Sequence, residues 1–124
     1  LSKAYIMPSS TEEEKIIKEK EMQKCLKDAC NAPVETMELV FEGINLHGEL
    51  TDIASVTIIS DIGVGVQLLK AALNSAYLNV IININSINDG EYVNNIKRRA
   101  ENLLVDGNKK SDEIWNKVLK TLEA

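Results

Sequence analysis

Two glycines and an acidic residue form the first pattern in the sequence that could carry chemistry. Gly63 and Gly65 follow Asp61 in the stretch ISDIGVGVQLLK. A dinucleotide-binding turn needs three glycines, G-x-G-x-x-G, between a strand and a helix, because the bare backbone must approach a phosphate. Leu68 stands at the third glycine position, no βαβ unit follows, and the P-loop pattern is absent. Nucleotide binding at these glycines is therefore disfavoured.

Asp61 itself has two interpretations. An aspartate at the start of a helix commonly accepts hydrogen bonds from the free N–H groups of the first turn, and this cap is the simpler interpretation. A carboxylate at the same place could also transfer protons to and from a substrate. The N–H groups would lower the pKa of the carboxyl group, whereas burial would raise it. The residues alone leave both roles open.

Small and polar residues share one side of the helix that the sequence predicts over residues 60–87. At ~100° per residue, seven of them and Leu68 fall within one stripe, small in the middle and polar at both ends. Asp61 and Asn83 would lie ~33 Å apart at ~1.5 Å per residue, too far to act as a pair within one chain. If both are functional, they serve opposite ends of a long ligand, or sites completed by another subunit. The stripe contains Asp61, Gly65, Leu68, Ala72, Ala76, Asn79, Asn83 and Ser86.

The remaining reactive side chains give weaker signals. His47 is the single histidine, and its polar neighbours favour a surface position over a role as general base. Cys25 and Cys30 are five positions apart in one apparent helix, so a disulfide between them is disfavoured and a reducing cytosol is favoured. No cysteine and histidine spacing indicates a metal site. The Lys-Arg-Arg cluster at 97–99 is typical of a solvated surface, although it could meet a glutamate tail.

Composition excludes several classes of protein. The 124 residues suffice for one domain, and a hydrophobic content of 44% suffices for a core. Lysine and arginine number 14 against 19 acidic residues, a net charge of −5, which disfavours binding to nucleic acid or to anionic membranes. No apolar run approaches the roughly 20 residues that a membrane span requires.

The periodicity of the apolar residues predicts a single all-α domain over residues 1–124, a bundle of four to five helices. A capping box around Ser10–Glu14 predicts the start of a first helix. Pro33 should end or kink this helix, and the apolar stripe then continues to about Leu46. Residues 49–58 are the best loop candidate.

The second half of the chain leaves two choices open. The alternating, β-branched end of the segment over residues 60–87 would also fit a strand, but no partner strand occurs, so a helix is favoured. Asp89 should be the N-cap of the last helix. Gly107-Asn108 either breaks that helix or lies within it.

Motifs between residues 59 and 92 resemble the formimidoyltetrahydrofolate cyclodeaminase / methenyltetrahydrofolate cyclohydrolase family. Ser-Asp-x-Gly-Val occupies 60–64 and Leu-Asn-Val occupies 78–80. The other matching motifs are Ala-Ala-Leu at 71–73, Ile-Asn at 82–83, Asn-Asp at 88–89, Tyr-Ile-Met-Pro at 5–8 and Ala-Pro-Val at 32–34. The resemblance covers nearly the whole chain, and residues 60–89 are its specific part.

The resemblance implies a cytoplasmic helical bundle, usually a homodimer, that acts on a tetrahydrofolate derivative without a bound cofactor or metal. The reaction would be cyclisation of the formimidoyl group with loss of ammonia, or hydrolysis of the methenyl form. The resemblance makes Asp61 the candidate acid/base residue. It makes Ser60, Gly63, Asn79 and Asn83 candidate contacts to the substrate.

The chain also departs from the family pattern. The family's Thr-Pro-Gly-Gly-Gly-Ser type segment is absent, and Ala54-Ser55-Val56-Thr57 replaces the expected loop before Ser60. We therefore expect a fragment whose bundle is completed by an N-terminal segment, a dimer partner or both, and which need not turn over on its own. The alternative is a non-catalytic helical module whose small-residue stripe serves only dimer packing.

Overall fold

Three long helices and one short N-terminal helix make up the computed structural model, which describes residues 1–124. Helix α1 spans Ser2–Tyr5, α2 spans Glu12–Ile53, α3 spans Ile59–Ile84 and α4 spans Gly90–Glu123. The long helices run antiparallel to their chain neighbours. The expectation of an all-α bundle is confirmed.

Helix α2 begins where the capping box predicts. The Thr11 hydroxyl accepts a hydrogen bond from the backbone N–H of Glu14 at 3.1 Å. The Glu14 carboxylate in turn accepts one from the backbone N–H of Ser10 at 3.0 Å. These reciprocal contacts satisfy N–H groups that the helix itself cannot.

Helix α2 is longer than the sequence indicates. It does not end at Pro33 or near Leu46, but runs for 42 residues with Pro33 inside it. The loop predicted over 49–58 shrinks to residues 54–58. Gly48 lies within this helix as a packing position: a side-chain carbon there would lie 3.4 Å from Ile114 of α4.

Helices α3 and α4 settle the two open choices. The β-branched end of α3 is helical to Ile84, so the strand alternative is wrong. Asp89 is the N-cap of α4, and its side chain accepts from the Tyr92 N–H. Helix α4 continues through Gly107, where a side chain would collide with Leu73 of α3. Glycine at 107 therefore allows α3 and α4 to approach each other closely.

The core lies between the three long helices. Its largest fully buried side chains are Met37, Ile44, Val66, Leu73, Val80 and Val118. Where α3 meets α4, the side-chain amides of Asn74 and Asn108 exchange two hydrogen bonds of 3.0 Å. Ser111, also buried, donates to the Gly107 carbonyl at 2.7 Å. None of the helices combines the length and apolar character that crossing a membrane requires.

One surface of α2 and α3, which we call the open face, is apolar and exposed. It lies on the side of both helices turned away from α4. Leu39 and Leu68 are each 67% exposed there, far more than a core leucine would be. The open face consists of Leu39, Leu46, Leu50 and Ile53 of α2 with Val64, Leu68, Leu78 and Ile82 of α3.

Candidate functional site

Asp61 lies in the first turn of α3 and is exposed. The N-cap is Ile58, and no side chain caps the helix start. The Asp61 carboxylate accepts no hydrogen bond, so its simpler interpretation, a helix cap, is wrong. The helix dipole favours a negative charge at this end, and the carboxylate is free to contact a ligand.

Ser60 and Gly63 flank Asp61 in sequence but do not share its surroundings. Ser60 is exposed in the same first turn. Gly63 is buried, and a side-chain carbon there would lie 3.0 Å from Val118 of α4. The structure therefore separates Gly63 from the surface that carries Asp61, and its glycine identity serves helix packing.

His47 is not at the surface, as its polar neighbours suggested, but half-buried within α2 and against α3. Its Nδ1 lies 2.8 Å from the Gly43 carbonyl oxygen. Because that oxygen only accepts, Nδ1 is the donor in this contact. A side-chain carbon at Gly65 would lie 2.5 Å from Nε2, so only glycine lets the ring rest here. Gly65 is one helical turn beyond Asp61.

Asn79 and Asn83 lie at the other end of α3, beside a groove of about 520 Å³ between α2 and α3. Asn79 is exposed and Asn83 is half-buried. The Asn83 side-chain nitrogen donates to the backbone oxygen of Ala29 at 3.2 Å. The groove is lined by Ala29, Ala32, Pro33, Thr36, Ala72, Ser75, Ala76, Asn79, Ile82 and Asn83.

The structure brings some predicted site residues together and keeps others apart. Asn79 and Asn83 share one groove, and Ser60 shares the first turn of α3 with Asp61. Asp61 and Asn79 are 18 positions apart on one continuous helix, a separation of ~27 Å. Within one chain, the carboxylate and the amides therefore lie at opposite ends of α3, as two candidate half-sites.

The side chains that could hold a metal ion or a charged tail do not come together in a binding site. No group of three or more His, Cys, Asp or Glu side chains is placed to bind a metal ion. Cys25 and Cys30 are both free thiols, and burial raises the pKa of the Cys30 thiol. In the basic cluster, Arg99 pairs with Glu38 of α2 and Arg98 donates to Asn95. Those contacts favour a structural, solvated role for the cluster.

The fold defines an antiparallel helical-bundle protein, and its candidate site residues are divided between the two ends of one helix. Comparison with known proteins gives the family: the chain belongs to the formiminotransferase-cyclodeaminase family, whose model matches residues 1–102. That match contains both ends of α3 and the motifs at 60–64 and 78–83.

Two curated relatives are similar over most of the chain. Methenyltetrahydrofolate cyclohydrolase of Methylorubrum extorquens is 30% identical over 115 residues, which are 93% of this chain and 55% of the relative. Formimidoyltransferase-cyclodeaminase of Rattus norvegicus is 27% identical over 101 residues, 82% of this chain and 19% of the relative. The chain thus spans about half the length of the first relative and about a fifth of the second.

Proposed function

We propose that the protein acts in one-carbon metabolism, at the one-carbon bridge of a tetrahydrofolate derivative. The reaction is hydrolysis of the methenyl form, or the related cyclisation of the formimidoyl form with loss of ammonia. The family match over residues 1–102 is the observation that carries this proposal. The names of the two relatives describe these two activities.

Asp61 has the chemistry that both reactions need. In the hydrolysis, water adds to the methenyl carbon and loses a proton, giving a tetrahedral adduct. The hydroxyl group of the adduct then becomes the formyl C=O group and releases its proton to water, while a ring C–N bond breaks and the departing nitrogen takes up a proton. One carboxylate that first accepts and then returns a proton serves both steps. The Asp61 carboxylate is exposed and free of hydrogen bonds, so both steps are open to it.

The remaining predicted contacts divide between the two half-sites. We assign Ser60 to the half-site of Asp61, because it is exposed in the same first turn of α3. We assign Asn79 and Asn83 to the substrate as amide contacts in the α2–α3 groove. Gly63 packs against Val118 of α4 and so helps to fix the position of the helical turn that carries Asp61.

A homodimer would join the two half-sites. A two-fold axis requires a surface that matches itself. The exposed residues of α3 are nearly symmetric about position 73: Val64 mirrors Ile82, and Leu68 mirrors Leu78. Ala71 and Ser75 are the small residues at the centre. We infer that two copies pack α3 against α3 in antiparallel orientation, which brings Asp61 of one copy to the asparagine-rich end of α3 in the other.

The activity test follows the absorbance of methenyltetrahydrofolate with the full-length protein. We expect Asp61→Asn to lower the rate by roughly 100-fold or more, the typical contribution of an acid/base group. The matched control is Asp106→Asn, since Asp106 is exposed on α4 and makes no hydrogen bond. Undiminished turnover in Asp61→Asn would remove Asp61 from the mechanism. Failure of the intact protein to bind any tetrahydrofolate would refute the enzymatic function.

The second candidate is a non-catalytic helical interaction module, which the open face supports on its own. Such a module would form the dimer without turning over either folate. The two candidates therefore predict different results in the absorbance assay and the same mass, that of a dimer, in solution. For either one, the two free thiols support a cytoplasmic location.

A further inference from the structure

The carbonyl group of Ala29 has lost its usual partner within α2. In an α-helix the N–H group of residue 33 would donate to the oxygen of residue 29, but Pro33 has no N–H group. The side-chain nitrogen of Asn83 donates to that oxygen instead, at 3.2 Å. A residue 54 positions away in the sequence thus supplies the hydrogen bond that α2 cannot make.

This contact fixes the orientation of the Asn83 amide. A carbonyl oxygen only accepts, so the amide must turn its nitrogen to Ala29 and its own oxygen elsewhere. The Asn83 oxygen has no partner within the chain. Because no buried side-chain polar atom is left unpaired, that oxygen must be accessible from outside. Pro33 therefore causes the groove to present a hydrogen-bond acceptor at Asn83.

The other lining residues complete a neutral site with an apolar wall. None of the ten residues that line the groove is charged. The Thr36 hydroxyl donates to the Ala32 carbonyl at 2.8 Å, so its oxygen too can only accept from a ligand. Asn79 lies one turn before Asn83 and is exposed, and neither the nitrogen nor the oxygen of its side-chain amide has a partner. The volume of about 520 Å³ is typical of small-molecule sites.

We propose that this groove binds the ring end of the folate substrate, with the Asn83 oxygen accepting a hydrogen bond from a ring N–H group. This inference rests on the proposed folate function and specifies which end of the substrate enters the groove. A flat, uncharged ring that carries N–H donors matches oriented acceptors between alanine and proline surfaces. The glutamate end is anionic and would find no cation in the groove.

The binding experiment uses the full-length protein and two fragments, 6-methyltetrahydropterin for the ring end and p-aminobenzoylglutamate for the tail end. We expect Asn83→Leu to weaken binding of the pterin about tenfold relative to the wild type, the effect of one lost hydrogen bond. Binding of the tail fragment should not change. The control Asn102→Leu removes an exposed amide on α4 and should leave both affinities unchanged.

A stability experiment tests the hydrogen bond without any folate. Asn83→Leu should lower the urea midpoint of unfolding in the presence of Pro33, because the Ala29 oxygen then has no donor. The same substitution should lower the midpoint much less in the Pro33→Ala background, because the alanine supplies the missing N–H group.

The two experiments separate the possible failures. Equal losses of stability in both backgrounds would overturn the link between Pro33 and Asn83. Unchanged pterin affinity, in a protein that binds intact tetrahydrofolate, would overturn the ring assignment and leave the proposed function standing. A protein that binds neither fragment nor intact tetrahydrofolate would overturn the ring assignment and the folate function together, while the urea midpoints still decide the hydrogen bond.

Discussion

The two sides of α3 differ in how many of their side chains have packing or hydrogen-bond partners within the chain. The side toward α4 is closed: Gly63 packs on Val118, and Asn74 and Asn108 bind each other. At its edge, Lys70 forms an ion pair of 2.6 Å with Asp112. The opposite side carries exposed Val64, Leu68, Leu78 and Ile82. Its polar groups at the two ends, apart from the Asn83 nitrogen, have no partner within the chain.

The contrast shows where function should be sought in this bundle. A polar group that is already satisfied by its neighbours cannot bind a ligand without losing a hydrogen bond. An apolar surface that remains in water indicates a contact with another molecule or segment. Unpaired polar groups and exposed apolar side chains both occur on the open face, and the two candidate half-sites lie at its ends. The following substitutions test this difference, beginning with the largest expected effect.

Leu73→Ala on the closed side should cost about 2–5 kcal/mol of unfolding free energy. Leu73 is fully buried and packs over Gly107, so the substitution leaves a cavity that neither helix can fill. Leu68→Ala, on the open face, should change the stability of the isolated chain by less than about 0.5 kcal/mol. Urea unfolding at low protein concentration measures both. Equal losses would mean that the two sides are equally buried in solution.

Leu68→Glu should dissociate the proposed homodimer while leaving the bundle folded. The substitution places a charge in each half of a symmetric apolar contact, and we expect association to weaken at least tenfold. Sedimentation measures the mass and circular dichroism the helix content. Val105→Glu is the control, since Val105 is 64% exposed but lies on α4. A wild-type chain that stays monomeric at high concentration would contradict the dimer.

The parts of the fold that were predictable from sequence depend on near neighbours in the chain. Thr11 and Asp89 each cap a helix by accepting a hydrogen bond from the N–H group three residues further on. A short window of sequence therefore contains both the acceptor and the donor. The same holds for the division of the candidate site. Counting residues between Asp61 and Asn83 was sufficient to separate them, because α3 is one unbroken helix.

The sequence was wrong or left a choice open where a distant residue changes the meaning of a local signal. Pro33 predicted an end or a kink, but α2 continues through it and Asn83 of α3 completes the hydrogen bond that α2 lacks. Gly107 left open whether α4 breaks, but there, as at Gly48, glycine admits a side chain from a neighbouring helix. His47 looked exposed, and the space that shelters it exists because position 65 is glycine. None of these partners can be found within a short window of sequence.

The paired amides on the closed side offer a smaller test. Asn74→Leu should cost about 1 kcal/mol, because it leaves the half-buried Asn108 amide without its side-chain partner. Adding Asn108→Leu should recover most of that loss, since two apolar side chains then meet without an unpaired polar group. A double variant as unstable as the sum of the single variants would show that the amides contribute independently.

The smallest expected effect comes from the turn that leads into the closed side. Lys27 of α2 forms an ion pair of 2.8 Å with Asp89, the N-cap of α4. The hydrogen bond from Lys27, followed by the one from the Tyr92 N–H, lowers the pKa of the Asp89 carboxyl below its ordinary value of 3.8. A carboxyl group with a lowered folded-state pKa stabilises the fold above its unfolded-state pKa, and it loses that contribution as the pH falls through the folded-state value.

Asp89→Asn should therefore be less stable than the wild type at neutral pH, and the difference should shrink as the pH is lowered below about 4. Both groups of the pair are well exposed, so the difference should also diminish in high salt. Asp106→Asn, on the exposed surface of α4, provides the control at each pH. Urea unfolding between pH 3 and pH 7 measures the effect. A difference that grew on acidification would mean that the Asp89 carboxyl destabilises the folded state, and the closed side would then contain an unfavourable charge.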